Sequence, residues 1–396
     1  MNGLLGLFEK IFSGRLDRLV NAGYWKTLTA YAPVFMTRGG ALYESELVRA
    51  AIDTRARHIS KLKVELVGTA KPQLRAALEK APNQWQTWSQ FLYRTSTILD
   101  MQNTVFIVPI EDSYERVTGY FSLLPSVCEI REYMDEPWLR YRFQTGDVGA
   151  IELSHCAVMT KFQYKDDIFG ETNDALRPTV DLIDIHNQGI QEAVKNSSSY
   201  RFWARVSNFS KTEDLKKERK RFTEENFGKD VEAGGILLFP NTYSDIKQIE
   251  AKNYTVDAAQ MELIRKNVYD YFGVNEDVMQ NKAFGDAWAA FYEGAVETFA
   301  IPFSEKMTQL AFSSAEQARG ARIMATSNRL QYLSNKEKLN VSTQLVDRGI
   351  LNRDEAREIW NLPPIPDGKG QEYVIRGEYK NAEDTEQAEE NGEAEK

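Results

Sequence analysis

TVDAAQMELIRKNVYDYFGVNEDVMQNKAFGDAWAAFYEGAVETFAIPFSEKMTQLAF, from Thr255 to Phe312, is the stretch on which the fold turns. Ala258, Met261, Ile264, Val268 and Tyr271/Phe272 recur at three- and four-residue steps, the spacing of one helix face. Thr255-Val256-Asp257 offers the start and Gly273 the stop. A polar segment from Asn275 to Asp286 follows, closed by a second glycine, Gly285. The next helix carries Trp288, Phe291, Tyr292, Ala295, Phe299, Phe303, Met307 and Leu310. Pro302 sits in its middle and, lacking an N–H, is expected to kink or break it. The stretch therefore predicts helix, short polar loop, helix.

Upstream, Ser45 is placed to cap a helix over 46–62, with Val48, Ile52, Ala56, Ile59 and Leu62 on one face. Val64 and Leu66 alternate with Lys63 and Glu65 as a strand. Pro72 and Pro82 bound a short helix. Thr87-Trp88-Ser89-Gln90 has capping-box spacing and opens a helix through Met101. Asn103–Ile110 reads as a strand, and residues 120–124, 127–133, 138–143 and 151–162 as further strands. Residues 21–43 read as irregular. Residues 1–165 thus predict one α+β domain.

Pro178 suits the first turn of a long helix whose apolar face, Val180, Ile183, Ile190 and Val194, runs to about Asn196. Residues 200–254 predict a small α+β insert. It has a strand at Phe202–Val206, a charged helix at Thr212–Phe227, a turn at Gly234-Gly235 and a strand at Ile236–Phe239. A helix out, a compact head and a helix back make a stalk. After Phe312 the chain is small and polar to 320. Capping-box spacings at Ser334–Glu337 and Asn352–Glu355 then open two short helices. The tail from Asn381 is acidic, lacks apolar periodicity, and is expected to be disordered.

A chain of 396 residues exceeds one ordinary core, so two or more domains are expected. Its net charge of −9 argues against gripping nucleic acid over the whole surface. Two cysteines, Cys128 and Cys156, make no disulfide framework and point to synthesis in a reducing cytosol. No apolar run is long enough to span a membrane. The N-terminal cluster Leu4, Leu5, Leu7, Phe8, Ile11 and Phe12 is interrupted by Glu9 and Lys10. It reads as an amphipathic helix docking on a neighbour, with a flexible segment or membrane-surface contact as alternatives.

Catalytic signatures are missing. The three histidines, His58, His155 and His186, are scattered, and the closely spaced Cys/His pairs that a zinc site needs do not occur. His186 near Asp184 is a packed helix residue or a general base. There is no phosphate-binding G-x-x-x-x-G-K-[ST] loop and no G-x-S-x-G elbow. Asp166-Asp167 and Glu224-Glu225 read as solvated charge. The chain is expected to be no enzyme and to need no metal or cofactor. One basic cluster stands out: Lys216, Lys217, Arg219, Lys220 and Arg221, interleaved with acids. It fits a salt-bridged solvated helix, a protein-docking face, or phosphate contacts.

Ala81-Pro82-Asn83-Gln84-Trp85-Gln86-Thr87 with Phe91, then Leu124-Pro125-Ser126, Ile168-Phe169-Gly170 and Tyr271-Phe272-Gly273-Val274 occur in that order. Gly349-Ile350-Leu351-Asn352-Arg353-Asp354-Glu355-Ala356-Arg357 and Leu362-Pro363-Pro364 follow. The ordered set resembles the portal proteins of tailed bacteriophages with HK97-like capsids, over roughly residues 40–375. Asn275 stands where that family usually has proline, and Asp354 where it usually has asparagine.

The resemblance implies a portal-type α+β subunit. Residues 1–170 would be an α+β wing, 171–199 and 255–275 the two-helix stem, and 200–254 a small α+β clip. Residues 276–287 would be a tunnel loop, 288–312 a long kinked helix, 313–375 a helical crown and 376–396 an acidic tail. It further implies a ring of twelve copies at one capsid vertex, through which double-stranded DNA passes without sequence preference. The implied partners are further copies of itself, the major capsid protein, the terminase large subunit and the head–tail adaptor. No membrane is implied, and the location would be the virion after assembly in the host cytoplasm.

Within the loop Val278, Met279, Gln280, Asn281, Lys282, Ala283, Phe284, Gly285 and Asp286 would face the channel. Lys282 would make weak phosphate contacts while Met279 and Phe284 pack the loop against its neighbours. The basic cluster 216–221 would dock a partner of the clip. Two other classes fit the bare sequence: a DNA-processing enzyme with an atypical site, and a helical adaptor or scaffold of another assembly.

Overall fold

Alternating apolar residues build the strands, and stripes at helical spacing cover them. The computed structural model describes residues 26–27, 43, 45–70, 72–111, 117–142, 148–197, 202–206, 212–227, 243–248, 258–327, 335–360 and 362–375. The chain divides into two units. One comprises Met1–Arg177 with Arg265–Lys396, and the other Pro178–Ile264. The N-terminal apolar cluster, the strand expected at 236–239 and the acidic tail lie outside the described residues.

In the larger unit the order begins β1 (Lys26–Thr27), α1 (Glu46–Ile59), β2 (Lys63–Val67), α2 (Pro72–Lys80), α3 (Trp88–Gln102) and β3 (Thr104–Glu111). It continues β4 (Val117–Leu123), β5 (Cys128–Tyr133), β6 (Glu136–Arg142), β7 (Val148–Glu152) and β8 (Ala157–Thr160). Ser45 makes no side-chain cap on α1, whereas Thr87 and Gln90 complete the expected box on α3. Strands β4-β3-β8 form one antiparallel sheet and β1-β5-β6-β7 another.

Their facing sides share one core of Phe106, Val108, Ile110, Leu123, Ile130, Leu139 and Phe169. β3 is buried on both faces because α3 packs on its other side. Pro109 is tolerated in that central strand for a local reason. β8 pairs only with Thr104–Ile107, so the ring at 109 displaces no ladder donor on that side.

The single strand expected at 151–162 is two. β7 belongs to one sheet and β8 to the other, and a 3-10 turn at Leu153–His155 carries the chain between them. A matching turn at Pro125–Val127, within the Leu124-Pro125-Ser126 motif, links β4 to β5. Each turn is followed by a cysteine whose thiol donates to the carbonyl four residues back, Cys128 to Leu124 at 3.2 Å and Cys156 to Glu152 at 3.5 Å. Both cysteines are free, and burial pushes both thiols up.

The sequence motifs have packing roles. Asn83 Nδ2 donates to Tyr120 O at 3.1 Å, while its Oδ1 accepts from the backbone of Trp85 and Gln86. Tyr120 N donates to Pro82 O at 2.6 Å. The Pro82-Asn83 turn is thereby stitched to β4. Asp166 Oδ1 accepts from Ile168 N and Phe169 N, so the Asp166 side chain shapes a turn.

The smaller unit holds most of α4 (Arg177–Ser197), then β9 (Phe202–Val206), α5 (Thr212–Phe227) and β10 (Tyr243–Gln248). β10 was not expected from the sequence. It pairs antiparallel with β9 through a bulge between Ser244 and Lys247, where Asp245 takes a left-handed backbone.

The chain then enters α6 (Ala258–Phe272), α7 (Glu276–Met279), α8 (Asp286–Phe291), a π-helical turn at Tyr292–Val296, and α9 (Glu297–Ala311). After the short α10 (Ser314–Gln317) comes β11 (Arg322–Thr326), a strand the helical reading of 313–375 did not include. β11 pairs antiparallel with β2. Its alternation, with Ile323 and Ala325 buried, was hidden by the polar run before it. The outer edge of β11 is covered by α9: Ile323 N donates to Thr308 Oγ1 at 2.9 Å and Ala325 N to Ser304 Oγ at 2.8 Å. Helices α11 (Asn335–Asp347) and α12 (Arg353–Ile359) follow, the latter opened by the expected Asn352/Glu355 box.

Candidate functional site

α6 ends as its sequence dictates. Gly273 takes φ +68°, Gly273 N donates to Asp270 O at 3.2 Å, and Val274 N donates to Tyr269 O at 2.9 Å. This is a Schellman stop, and the buried Val274 supplies its apolar contact. Asn275 then starts a new turn: its side-chain oxygen accepts from Val278 N at 2.9 Å. Asparagine at this position is an N-cap.

The segment 276–286 is therefore not all loop. α7 occupies its first part, and Lys282 N and Ala283 N both donate back to Asp277 O, at 2.7 and 3.1 Å. Asn281 and Gly285 both take positive φ, which tightens the return into α8. Val278 is the anchor, 2 % exposed, and α7 rests on α1. Gln280, Asn281, Lys282, Phe284 and Asp286 are exposed, while Met279, Ala283 and Gly285 are half-buried. Phe284 is 70 % exposed within this chain. Lys282 Nζ donates to Gln280 Oε1 at 2.6 Å, and Gln280 Nε2 to Glu276 Oε1 at 2.5 Å. The surface is thus small, mostly polar, and carries one cation beside Glu276, Asp277 and Asp286.

The helix behind it departs from α geometry earlier than Pro302. α9 runs through Pro302, and the irregularity is the π turn at 292–296, where Glu297 N reaches back to Tyr292 O. Thr298 Oγ1 lies 3.1 Å from both Gly294 O and Ala295 O. Trp288 stacks on Tyr292, and Phe291 meets His58 edge to face at 5.2 Å.

Burial, helped by Lys61 and Arg57, lowers the His58 imidazole from its ordinary 6.5 to about 4. The folded state thus resists protonation of His58. Its contribution to stability is complete above pH 6.5 and is lost as pH falls toward 4. Acid titration monitored by denaturant midpoint should show His58→Gln narrowing the loss between those pH values by about 1–2 kcal/mol, discounted for partial solvent access.

A buried ionic cluster stands beside this helix, and sequence reading missed it. Asp100, fully buried on α3, accepts from Arg55 Nη1 of α1 and from Lys161 Nζ, the latter at 2.8 Å. Arg55 Nε donates to Ala295 O at 3.1 Å. Burial lowers the Lys161 ammonium, Asp100 raises it, and Arg55 lowers it again. Asn173 Nδ2 donates to the carbonyls of Asp100 and Met101, and its Oδ1 accepts from Asn103 Nδ2 and from the Tyr271 hydroxyl of α6, each at 2.7 Å. A signal existed: Arg55 and Asp100 are charges lying on the apolar faces of their helices.

The remaining candidates are dispersed. On α5 the side chains of Lys216, Lys217, Arg219, Lys220 and Arg221 are exposed. Lys220 pairs with Glu224 at 3.7 Å and Arg221 with Glu218 at 2.6 Å, the salt-bridged form of that helix. His186 is buried with Nδ1 2.8 Å from Leu182 O, a packed helix residue. Among the described residues no group of three or more His, Cys, Asp or Glu could hold a metal, and no helix is long and apolar enough to cross a membrane.

Residues 46–361 match the sequence profile described as Phage portal protein. The chain belongs to the phage portal protein family. Solved structures share this fold at low identity. A chain from the neck of a native GTA particle computed with C12 symmetry aligns at TM-score 0.60 and 14 % identity, covering 87 % of this chain and 97 % of that one. The neck of an empty GTA particle computed with C6 symmetry gives TM-score 0.57 at 15 % identity, with the same coverage. The virion of a native gene transfer agent particle gives 0.56 at 14 %, again covering 87 % and 97 %. A search of curated proteins finds no match. The portal assignment agrees with a mixed α+β subunit whose family motifs form turns, caps and close approaches.

Proposed function

We propose that this chain assembles as a closed ring at one capsid vertex and forms the channel through which DNA enters and leaves the particle. The observation that carries this reading is membership of the portal family across residues 46–361. The likeness to almost the whole length of a chain from a neck computed with C12 symmetry supports it, and suggests twelve copies. In this reading the unit Pro178–Ile264 holds the clip and parts of the stem. The exposed face of α5 there, Lys216, Lys217, Arg219, Lys220 and Arg221, is a docking surface for terminase during packaging and for the head–tail adaptor afterwards. The larger unit supplies wing and crown and meets the major capsid protein. The protein acts as a structural conduit, with nucleotide hydrolysis left to the terminase.

The segment 278–286 faces the channel. A conduit for any sequence must not bind the duplex tightly, because each neutralised phosphate adds affinity through counterion release. One exposed lysine among three acids, on a chain of net charge −9, meets that requirement. Lys282 makes transient phosphate contacts, and its exposed neighbours present little else to grip.

Negative-stain imaging of the purified full-length chain should show rings of about a dozen copies with an axial hole. A monomer with metal-dependent nuclease activity would instead favour the enzyme reading. In a packaging assay, Lys282→Glu should lower the DNA retained per particle several-fold, since it replaces an attraction by a repulsion at every subunit. Retention equal to wild type would remove Lys282 from the account.

A further inference from the structure

A π turn inserts one residue into a helix and weakens its hydrogen bonding, so it persists only where the surroundings hold it. The turn at Tyr292–Val296 separates the α8 end of the loop segment from the regular helix α9. If it relaxed to α geometry, residues 286–291 would shift against α9 by about 100° and 1.5 Å. Trp288 and Phe291, both buried, would leave their present contacts, and the loop rooted on α8 would be re-aimed.

The carbonyl of Ala295 lies inside this turn and receives Arg55 Nε at 3.1 Å from the neighbouring helix α1. Arg55 is 4 % exposed. Its remaining charge is met by Asp100, fully buried, which Lys161 also contacts. Such a cluster is a poor device for stability alone, because apolar residues of the same volume serve as well. Its geometry serves position instead. The planar guanidinium reaches Asp100 with one nitrogen and Ala295 O with another, which a lysine ammonium at the end of a flexible stem cannot reproduce. α1 also contacts both α7 and the π turn, so one helix references both ends of the loop segment.

We propose that Arg55 is a positioning residue for the channel-facing segment 278–286: it locks the π turn and so fixes the register in which α8 presents that segment. This rests on the reading of 278–286 as the channel surface. Asp100 and Lys161 hold Arg55 in place.

Hydrogen–deuterium exchange on the full-length chain tests it without DNA. Arg55→Lys keeps a positive charge beside Asp100 but removes the second donor. Exchange in peptides covering 286–298 should accelerate about ten-fold, with β3, β4 and β5 unchanged. Should that variant fail to fold, the double variant R55M/D100L removes both charges together and should show the same local acceleration. Unchanged exchange at 286–298, or acceleration spread evenly over the larger unit, would overturn the proposal. The two readings separate cleanly. Local acceleration with normal DNA retention by the same variant supports the lock and removes 278–286 from the channel, whereas no acceleration removes the lock and leaves the channel reading standing.

Discussion

Gly170→Ala should destabilise the larger unit by about 4 kcal/mol, beyond the usual range for a single added methyl group. A Cβ at Gly170 would lie well inside van der Waals contact of two backbone oxygens, Lys161 O and Asn103 O. Neither can move freely. Lys161 N is bonded to Asn103 O at 2.8 Å, and Gly170 N to Thr104 Oγ1 at 2.9 Å. The preceding residue, Phe169, is buried edge to face against Phe106 at 5.8 Å. The added methyl must therefore separate β8, the end of α3 and the core aromatic at once. Denaturant melts of the two proteins would read the difference. Gly285→Ala is the contrast: its φ is positive, but no atom lies within 4 Å of the added Cβ, so about 1 kcal/mol is expected. Equal losses at the two sites would mean that the close approach at Gly170 carries no energetic weight.

Asp100→Ala is expected to cost about 3–5 kcal/mol, the range for stripping one partner from a buried ion pair. Arg55 would keep its charge in a site where it is almost fully enclosed. Lys161, partly exposed, can turn toward water, but Arg55 cannot. Removing Arg55 and Asp100 together should recover most of that loss, because two desolvated charges disappear with the bond between them. A double-mutant cycle over these positions would show a coupling of about 2–3 kcal/mol. Near-additive losses would mean that the cluster is wetter than its burial indicates.

Much of the architecture is legible in the sequence. Periodic stripes placed α1, α3, α4 and α6 within a few residues, and Thr87/Gln90 and Asn352/Glu355 fixed two helix starts. These signals are local, since a cap or stripe needs only neighbours three or four residues away. The misses share one cause. β10 and β11 are strands because of what they pair with, β9 and a β2 more than 250 residues upstream in the case of β11. The break in the strand expected at 151–162 marks a transfer between two sheets, invisible to alternation alone.

At the candidate site the balance was similar. The segment 276–286 stood out by its polarity between two apolar helices, and Gly273 and Gly285 framed it. That its first half is a helical turn capped by Asn275 depends on a side chain bonding its own backbone, a local event within reach of sequence reasoning. That Phe284 stands exposed and Val278 serves as the anchor depends on the position of α1. Pro302 drew attention as the obvious helix breaker, yet the irregularity lies at 292–296, where Arg55 and Thr298 supply donors to Gly294 and Ala295.

The sequence by itself determined the longer helices, the two capping boxes at Thr87/Gln90 and Asn352/Glu355, the acidic charge balance and the family motifs. These follow from short-range periodicity, from backbone needs of individual residues and from composition. Tertiary structure alone decided which strands share a sheet, why Gly170 must lack a side chain, and where two buried charges meet a carbonyl of the π turn. Those features arise from contacts between residues tens to hundreds of positions apart. Their energies come from desolvation and close packing, which exist only once the chain has folded.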